Sequence, residues 1–358
     1  MNRATLARQH LLEPVSMPVA GMIEHLVGMQ SQVPTAPYVG LWTRLTAFDP
    51  TTLSTLMTSR DAVRMSLMRT TLHLVTAADA LALRPLLQPV LERGLWSGSP
   101  FGRRIKGVDV DELLATGAAL LEERPRTTAA LGKALAERWP DYDAVSLAHA
   151  VRYLVPLVQI PPRGVWGQSM APTWTTLDAW LDGRTAPPLT LDDLVLRYLR
   201  AFGPASVQDI QAWCWLTRLR PVVERLRSQL VTFRAEDGVE LFDLQDAPRP
   251  DPDVPAPPRF VPEYDNLLLS HADRTRLIAV EYRELAFTNG AFLVDGFAVG
   301  SWKLTRANGT ATLALRAFEP VSPADRAALG EEGERLLGFL APSERAEIRF
   351  AGDDDPIG

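Results

Sequence analysis

The stretch LTLDDLVLRYLRAFGP, residues 189–204, is the part of the sequence that most clearly predicts the fold. Its apolar residues recur every three or four positions, which is the spacing of an amphipathic helix. Gly203 and Pro204 then end the helix, because neither residue continues it readily. The stretch therefore predicts one helix with a defined end.

Two further helices and a pair of strands follow directly. Ser206 suits a helix N-cap, with Asp209 three residues later in a pattern close to a capping box. Pro221 suits the first turn of the next helix. The segment LVTFRAEDGVELFDL, residues 230–244, consists of two strand-like runs around the turn residues Glu-Asp-Gly. Three helices followed by a hairpin are the arrangement of a winged-helix unit.

The same order of elements recurs twice earlier in the chain, less clearly. A weaker copy spans about residues 110–180, with VQIPPRGVWGQ and the following APTWTTLDAWL as its hairpin. Another copy begins with a helix in VAGMIEHLVGMQ and ends with strands in VRMSLMRTTLHLVTA. We therefore predict an α+β, mostly helical protein with three tandem winged-helix units. Their predicted bounds are residues 1–108, 109–186 and 187–246.

The remaining segment, residues 247–358, has a different composition. It opens with DAPRPDPDVPAPPR, residues 246–259, whose prolines and acids are typical of a linker. Beyond the linker, apolar runs flank Asp-Gly and Asn-Gly turns, and one helix, PADRAALGEEGERLLGFL, follows them. We predict a β-rich C-terminal region.

Composition excludes several classes of protein. Of 358 residues, 46% are hydrophobic and 22% are charged, and no apolar run approaches the length that spans a bilayer. The N-terminal residues lack the apolar core of a secretory signal. A single cysteine, Cys214, permits no internal disulfide. We expect a cytoplasmic protein without membrane contact.

The charge distribution leaves a nucleic-acid partner open. The formal net charge of −6 argues against one, but residues 61–106 contain seven basic and three acidic side chains. Only three of the 37 basic residues are lysines, and arginine suits phosphate contacts. A GC-rich genome that favours arginine codons explains the same bias.

Common catalytic motifs are missing from the sequence. It contains no Gly-x-Ser-x-Gly elbow, no glycine-rich phosphate loop and no His-Glu-x-x-His, and its five histidines are scattered. We therefore expect neither a metal nor a cofactor.

The segment HLVGMQSQVP, residues 25–34, places Gln30 and Gln32 where we predict that a helix ends before Pro34. On an unbroken helix, residues two apart point in nearly opposite directions, so this break is needed for the two amides to converge. Two converging amides can position a water molecule, although an amide is a poor general base. Two surface glutamines near a helix end are the alternative interpretation.

Residues 6–85 resemble the winged-helix family that includes the AlkZ-like DNA glycosylases, bacterial enzymes of alkylation resistance and crosslink repair. The matching segments are LARQHLLEP, HLVGMQSQVPTAPYVGLWTRL, MRTTLHLVTAADALALRP, FGPASVQDIQAWCWL, EYDNLLLSHADRTR and VDGFAVGSWKL. The resemblance runs essentially end to end. It implies three tandem winged-helix units that form a concave surface for duplex DNA.

The resemblance also implies a function. The family's Gln-x-Gln catalytic motif falls on Gln30 and Gln32, whereas another branch has Gln-x-Asp. The middle residue, usually aliphatic, is Ser31 here, which leaves the substrate preference open. The implied activity is that of a monofunctional glycosylase that releases N7-alkylated guanine, including bulky or crosslinked adducts, without a lysine Schiff base.

Further DNA contacts are expected in the same framework. We expect phosphate contacts from Arg44 and Arg69, and a DNA contact from His73, which is equally compatible with an interior histidine. The resemblance implies a hairpin that probes the minor groove. We place it around residues 306–309 with Arg306 and Asn308, and the hairpin at residues 234–239 is the alternative.

Two other functions remain open at this point. The protein could be a winged-helix transcription regulator or DNA-binding protein without catalysis, or an inactive family member. Regulators usually dimerise, whereas three repeated units in one chain favour a monomer. We expect a monomer that binds double-stranded DNA with alkylated purines and associates with the nucleoid.

Overall fold

The computed structural model describes residues 1–284 and 289–350. The predicted C-terminal region also contains residues 285–288 and 351–358, which lie outside the described residues. Within the described ranges, no helix is both long and apolar enough to span a bilayer.

The protein is α+β, with more helix than strand. The α-helices are α1 (Asn2–Arg8), α2 (Val19–His25), α3 (Ala36–Trp42), α4 (Pro50–Thr58), α5 (Ala77–Trp96), α6 (Phe101–Arg104), α7 (Val110–Glu123), α8 (Thr128–Arg138), α9 (Ala144–Leu154), α10 (Leu177–Leu181), α11 (Leu191–Phe202), α12 (Val207–Cys214), α13 (Arg220–Leu226), α14 (Asn266–Leu269) and α15 (Pro323–Leu340). The strands are β1 (Met29–Gln30), β2 (Ala62–Ser66), β3 (Leu72–Thr76), β4 (Arg126–Thr127), β5 (Leu157–Gln159), β6 (Thr173–Thr176), β7 (Leu230–Arg234), β8 (Glu240–Leu244), β9 (Arg259–Val261), β10 (Gly290–Val294), β11 (Phe297–Ala307), β12 (Thr310–Ala317) and β13 (Arg345–Phe350).

Three helices followed by a hairpin recur three times along the chain. The series are α2 to α4 with β2 and β3, α7 to α9 with β5 and β6, and α11 to α13 with β7 and β8. The unit boundaries stay a prediction. One detail of the second series is corrected: Leu177–Leu181, which we assigned to the hairpin, is helical.

The predicted capping pattern in the third series is confirmed. Ser206 Oγ accepts a hydrogen bond from Asp209 N, and the Asp209 carboxylate accepts one from Ser206 N in return. Thr190 and Asp193 form a second capping box at the start of α11. Each box satisfies backbone N–H groups that a helix start leaves unpaired.

The first two series share one sheet. Its six strands lie in the order β1-β3-β2-β5-β6-β4 and every pair is antiparallel. The joint between the series is the pairing of β2 with β5, in which Arg64 lies opposite Gln159. A second sheet has the order β13-β12-β11-β10-β9, with only β12 and β13 parallel. Helix α15 packs on it through Leu329, Leu336 and Leu337.

The helix predicted to run to Pro34 ends at His25 instead. Val27 and Gly28 adopt left-handed conformations with φ of 53° and 87°, and these end the helical path. A Cβ on Gly28 would lie 2.6 Å from Val75 Cγ1, so the close approach to β3 requires glycine there. The chain then enters strand β1, which pairs with β3.

The predicted linker lacks helix and strand between residues 246 and 258, as expected. It is nevertheless fixed to the N-terminus, because Arg3 Nε donates to Val254 O at 2.6 Å. Arg8 on the same helix forms a buried two-fold ion pair with Asp243 of β8, at 2.6 and 2.7 Å. Helix α1 thus joins the third series to the C-terminal region.

Candidate active site at Gln30 and Gln32

The two glutamines lie on an extended segment at the edge of the six-stranded sheet. Gln30 is opposite His73 in β3, and Ser31 N donates to Leu72 O at 2.7 Å, so the pairing continues past Gln30. Strand β1 ends at Gln30 and the chain bends at Gln32. The side chains of both glutamines nevertheless reach the segment 69–72 that leads into β3, and they do so from the end of a strand and not from the helix end that we predicted.

The two amides differ in burial and in how firmly they are held. Gln30 is 7% exposed and its Oε1 accepts a hydrogen bond from Arg69 Nη2 at 2.7 Å. Gln32 is exposed, and its Oε1 lies 3.4 Å from Leu72 N. The Gln30 amide is thus held by a short hydrogen bond, whereas the exposed Gln32 amide has one long contact.

Ser31, between the two glutamines, binds the buried side chain of Arg64. Arg64 Nε donates to Ser31 Oγ at 2.8 Å, and Arg64 Nη2 donates to Ser31 O at 2.7 Å. Arg64 also donates to Gln159 of β5. The hydroxyl in the middle of the motif is thus a structural acceptor, which an aliphatic side chain could not provide.

Arg69 lies in the turn between β2 and β3 with φ of 55°, an uncommon conformation for a residue other than glycine. Besides Gln30, its guanidinium reaches Trp213 O at 2.6 Å. Burial lowers the pKa of Arg69 to about 10, so the side chain remains charged at neutral pH. Two protein acceptors thus occupy the guanidinium that we expected to contact a phosphate.

His73 is fully buried beside these groups. Its Nδ1 lies 3.0 Å from Thr71 O, which only accepts, so Nδ1 carries the proton. Nε2 is then an acceptor and faces Arg69 Nη2 at 3.5 Å. Burial lowers the pKa of His73 to about 3, which keeps the ring neutral. His73 thus lies in the interior, as the alternative interpretation had it, and its contact with DNA stays a prediction.

Arg44 is likewise enclosed and paired within the protein, so that its contact with a phosphate stays a prediction. Its side chain is 0% exposed and donates twice to the Asp265 carboxylate, at 2.7 and 2.9 Å. The next residue, Asn266, donates through Nδ2 to Gly28 O at 2.6 Å. The segment around Asp265 thus supports the turn that leads into β1. The sequence placed this segment in the resemblance without indicating that it supports the glutamines.

A cleft of about 470 Å³ opens between the residues that follow Gln32 and strand β11. Its lining includes Thr35, Trp166, Glu263, Lys303 and Arg306. Burial raises the pKa of the Glu263 carboxyl. Glu263, Lys303 and Trp166 were not among the predicted site residues. No charge pattern or spacing in the sequence singles them out.

The two hairpin residues that we predicted lie on or near this cleft. Arg306 is half-exposed, and its guanidinium donates to Glu344 at 2.8 Å and to Leu340 O at 2.8 Å. Asn308 is exposed in the turn between β11 and β12, where φ is 50° at Asn308 and 74° at Gly309. Two successive left-handed residues suit a two-residue hairpin turn. The tip therefore presents Asn308 to solvent.

Neither thiol chemistry nor a metal site is indicated among the residues that the structure describes. Burial raises the pKa of the Cys214 thiol to about 12, which makes a thiolate unfavourable. In the part of the chain that the structure describes, no cluster of three or more His, Cys, Asp or Glu side chains could hold a metal ion.

Comparisons with known proteins identify the family and the fold. The family model described as DNA glycosylase AlkZ-like matches residues 23–339. Among solved structures, the Streptomyces sahachiroi DNA glycosylase AlkZ superposes with a TM-score of 0.78 at 20% sequence identity, covering 98% of each chain. At that identity the likeness shows a shared fold. No curated protein matches the sequence. Because the family model covers most of its length, the chain belongs to the AlkZ-like DNA glycosylase family.

Proposed function

We propose that this protein is a monofunctional DNA glycosylase that hydrolyses the N-glycosidic bond of N7-alkylated guanine in duplex DNA. The observation that carries the proposal is the pair of neutral amides at the end of an edge strand, both of which reach the segment 69–72. Gln30 is held by Arg69, and Gln32 is exposed beside it. Membership of a glycosylase family supports the class of reaction.

The chemistry suits neutral residues. Alkylation at N7 places a positive charge on guanine, so the base leaves as a neutral molecule and needs no general acid. The deoxyribose gains oxocarbenium character as the bond breaks, and fixed dipoles can stabilise it while a water molecule is aimed at C1′. Gln30 and Gln32 supply positioning, and the neutral His73 adds no competing cation.

The proposed partner is double-stranded DNA bound by a monomer. Three tandem winged-helix units would form a concave surface for the duplex, with the β11–β12 hairpin at the minor groove. Support for this placement comes from Asn308 at the exposed tip and from Arg306 on the cleft. The cleft of about 470 Å³ is lined by residues that follow Gln32 in the chain and not by either glutamine, and because it opens to solvent it is compatible with bulky adducts or crosslinks that cannot be flipped into a closed pocket.

The decisive experiment measures release of 7-methylguanine from duplex DNA, together with the abasic site left behind. Wild type should release the base, and the Gln30→Ala, Gln32→Ala double variant should lose at least about 100-fold in rate because positioning is lost. Gln229→Ala, an exposed glutamine outside the site, is the matched control. Undiminished release by the double variant would place the active site elsewhere.

Two further readouts separate the alternatives. DNA binding by wild type without release of any alkylated base would favour a non-catalytic DNA-binding protein. Borohydride should trap no covalent complex with the abasic product. Trapping that disappears in Lys303→Arg would instead show a bifunctional enzyme, because Lys303 is the lysine on the cleft.

A further inference from the structure

Arg69, like Arg64 and Arg84, is a buried arginine whose hydrogen-bond partners in the described ranges are all neutral, unlike the arginines that form buried ion pairs. Arg8 and Arg44 each pair with a buried aspartate, Asp243 and Asp265. Among the described residues, no carboxylate lies within ion-pair distance of Arg69, although its side chain is enclosed. A buried charge without a counter-charge is costly. Its contacts therefore indicate what the charge does.

The guanidinium determines which atom of Gln30 it meets. Arginine has only donors, so the Gln30 atom 2.7 Å from Arg69 Nη2 must be the carbonyl oxygen Oε1. The second donor is anchored on Trp213 O at 2.6 Å. Because both donors are engaged, rotation of the Gln30 amide by 180° would bring N–H groups against N–H groups.

The surroundings reinforce this orientation. The bare Nε2 of His73 lies 3.5 Å from Arg69 Nη2 and accepts from the same side of the guanidinium. The backbone at Arg69 is left-handed, with φ of 55°, a conformation that is uncommon for a residue with a Cβ. The turn thus holds Arg69 in a conformation that directs it at Gln30.

We propose that Arg69 is a positioning residue that fixes the Gln30 amide with its Nε2 hydrogens turned towards the substrate. The inference rests on the proposed function and assigns different tasks to the two glutamines. Gln30 donates a hydrogen bond to the oxygen of the attacking water. Gln32, whose Oε1 has only a 3.4 Å contact with Leu72 N, reorients to accept a hydrogen of the same water.

The hydrolytic step balances with these roles. A lone pair of the water oxygen forms the bond to C1′, while the bond between C1′ and N9 breaks and its electron pair leaves with the base. The departing N7-alkylguanine is neutral, and the proton of the resulting oxonium passes to solvent. Since one amide donates and the other accepts, the two glutamines are not interchangeable.

Matched carboxylate substitutions test this asymmetry. In Gln30→Glu the side chain still accepts from Arg69 but has no hydrogen to donate. It should fold as wild type and lose at least about 100-fold in the single-turnover rate. Gln32→Glu keeps the acceptor and should stay within about tenfold of wild type. An active Gln30→Glu variant, or a reversed order of the two variants, would overturn the inference.

Substitutions at Arg69 separate positioning from phosphate binding. Arg69→Met should lower the single-turnover rate about 100-fold, and Arg69→Lys should recover part of it, with the DNA Kd within about threefold of wild type. A phosphate contact predicts the opposite, namely weaker binding, a salt slope reduced by about one and an unchanged rate at saturation. That result would overturn the proposal.

Failure of the inference can be told apart from failure of the proposed function. A wild type that releases no 7-methylguanine would overturn the proposed function and this role of Gln30 together. An active wild type with an active Gln30→Glu variant would overturn the inference alone. Where Arg69→Met does not fold, the comparison of Gln30→Glu with Gln32→Glu decides, since neither variant alters Arg69.

Discussion

The side chains around the two glutamines keep one charge state across the neutral pH range. Burial lowers the pKa of His73 to about 3, so the ring accepts a proton only as the pH falls towards that value. Burial lowers the pKa of Arg69 to about 10, so the guanidinium loses its proton only as the pH rises that far. The amides do not titrate. Nothing in this group changes charge near neutrality.

We therefore expect the single-turnover rate of base release to vary less than about twofold between about pH 5.5 and 9. The profile is measured on DNA with 7-methylguanine, after subtraction of spontaneous depurination at each pH. A rate that rises with pH along an acid limb would instead implicate a carboxylate as general base. Glu263 would be the first residue to substitute in that case, because it lies on the cleft and burial raises its pKa.

The residues of the candidate site were proposed from the sequence and stay a prediction, whereas the contacts that they make in the structure could not be predicted. Gln30 and Gln32 were identified from the resemblance and from the break that Pro34 suggested. Nothing local indicated that Arg69 would point inwards, since a turn arginine usually reaches solvent. The enclosed ion pair of Arg44 depends on Asp265, more than two hundred positions away in the sequence.

Among secondary-structure elements, the ones fixed by local signals were predicted well. The cap of α12 depends on residues three apart, and the C-terminal helix Pro323–Leu340 matches the predicted segment. Strand β1 was predicted as helix because a short apolar run fits either structure. Its partner β3 is more than forty residues away, and only that pairing selects the strand.

The start of β1 can be tested with Gly28→Ala. The φ of 87° disfavours a Cβ, and an added Cβ would meet Val75 and Leu74 O, so we expect the free energy of unfolding to fall by about 2 kcal/mol or more. Base release should fall further than DNA affinity, since Gln30 follows two residues later.

Urea unfolding measures the stability change in Gly28→Ala. Gly330→Ala is the control, because no atom lies within 4 Å of a Cβ there and the position is helical, so stability should be equal or slightly higher. Equal stability of Gly28→Ala and wild type would contradict the strained approach of β1 to β3.

For the whole molecule, the sequence predicted the recurring order of elements but not how the pieces join. The shared six-stranded sheet results from pairing between β2 and β5, about ninety residues apart, which no local pattern reveals. The N-terminal helix was assigned to the first unit, yet its Arg8 pairs with Asp243 of the third series. Periodicity and capping patterns involve residues a few positions apart, so they cannot predict contacts between residues this far apart in the sequence.

The junction at Arg8 is expected to carry a large share of the global stability. Arg8→Met leaves the buried Asp243 with the partly exposed Arg249 and Leu244 N as partners, so the free energy of unfolding should fall by roughly 1.5–3 kcal/mol. The Arg8→Met, Asp243→Leu double variant should recover part of that loss, because it removes the buried carboxylate while Arg249 keeps Leu244 O and Gln245 O as acceptors.

The matched control for the Arg8 junction is Glu112→Gln, which removes an exposed ion pair with Arg138 and should change stability by less than about 1 kcal/mol. Urea unfolding compares the variants, and base release under folding conditions should persist in each. A similar decrease in the free energy of unfolding in Glu112→Gln and in Arg8→Met would contradict a large contribution of the Arg8–Asp243 ion pair to stability.

Ser31 and Arg64 have a consequence for how this motif can evolve. The hydroxyl and carbonyl of Ser31 satisfy two donors of a guanidinium that is 1% exposed. A change of Ser31 to an aliphatic residue would leave one of those buried N–H donors without an acceptor. A change of Arg64 alone would leave the buried Ser31 hydroxyl without its partner. The two positions should therefore change together during divergence, so that an aliphatic residue between the glutamines is accompanied by loss of the arginine.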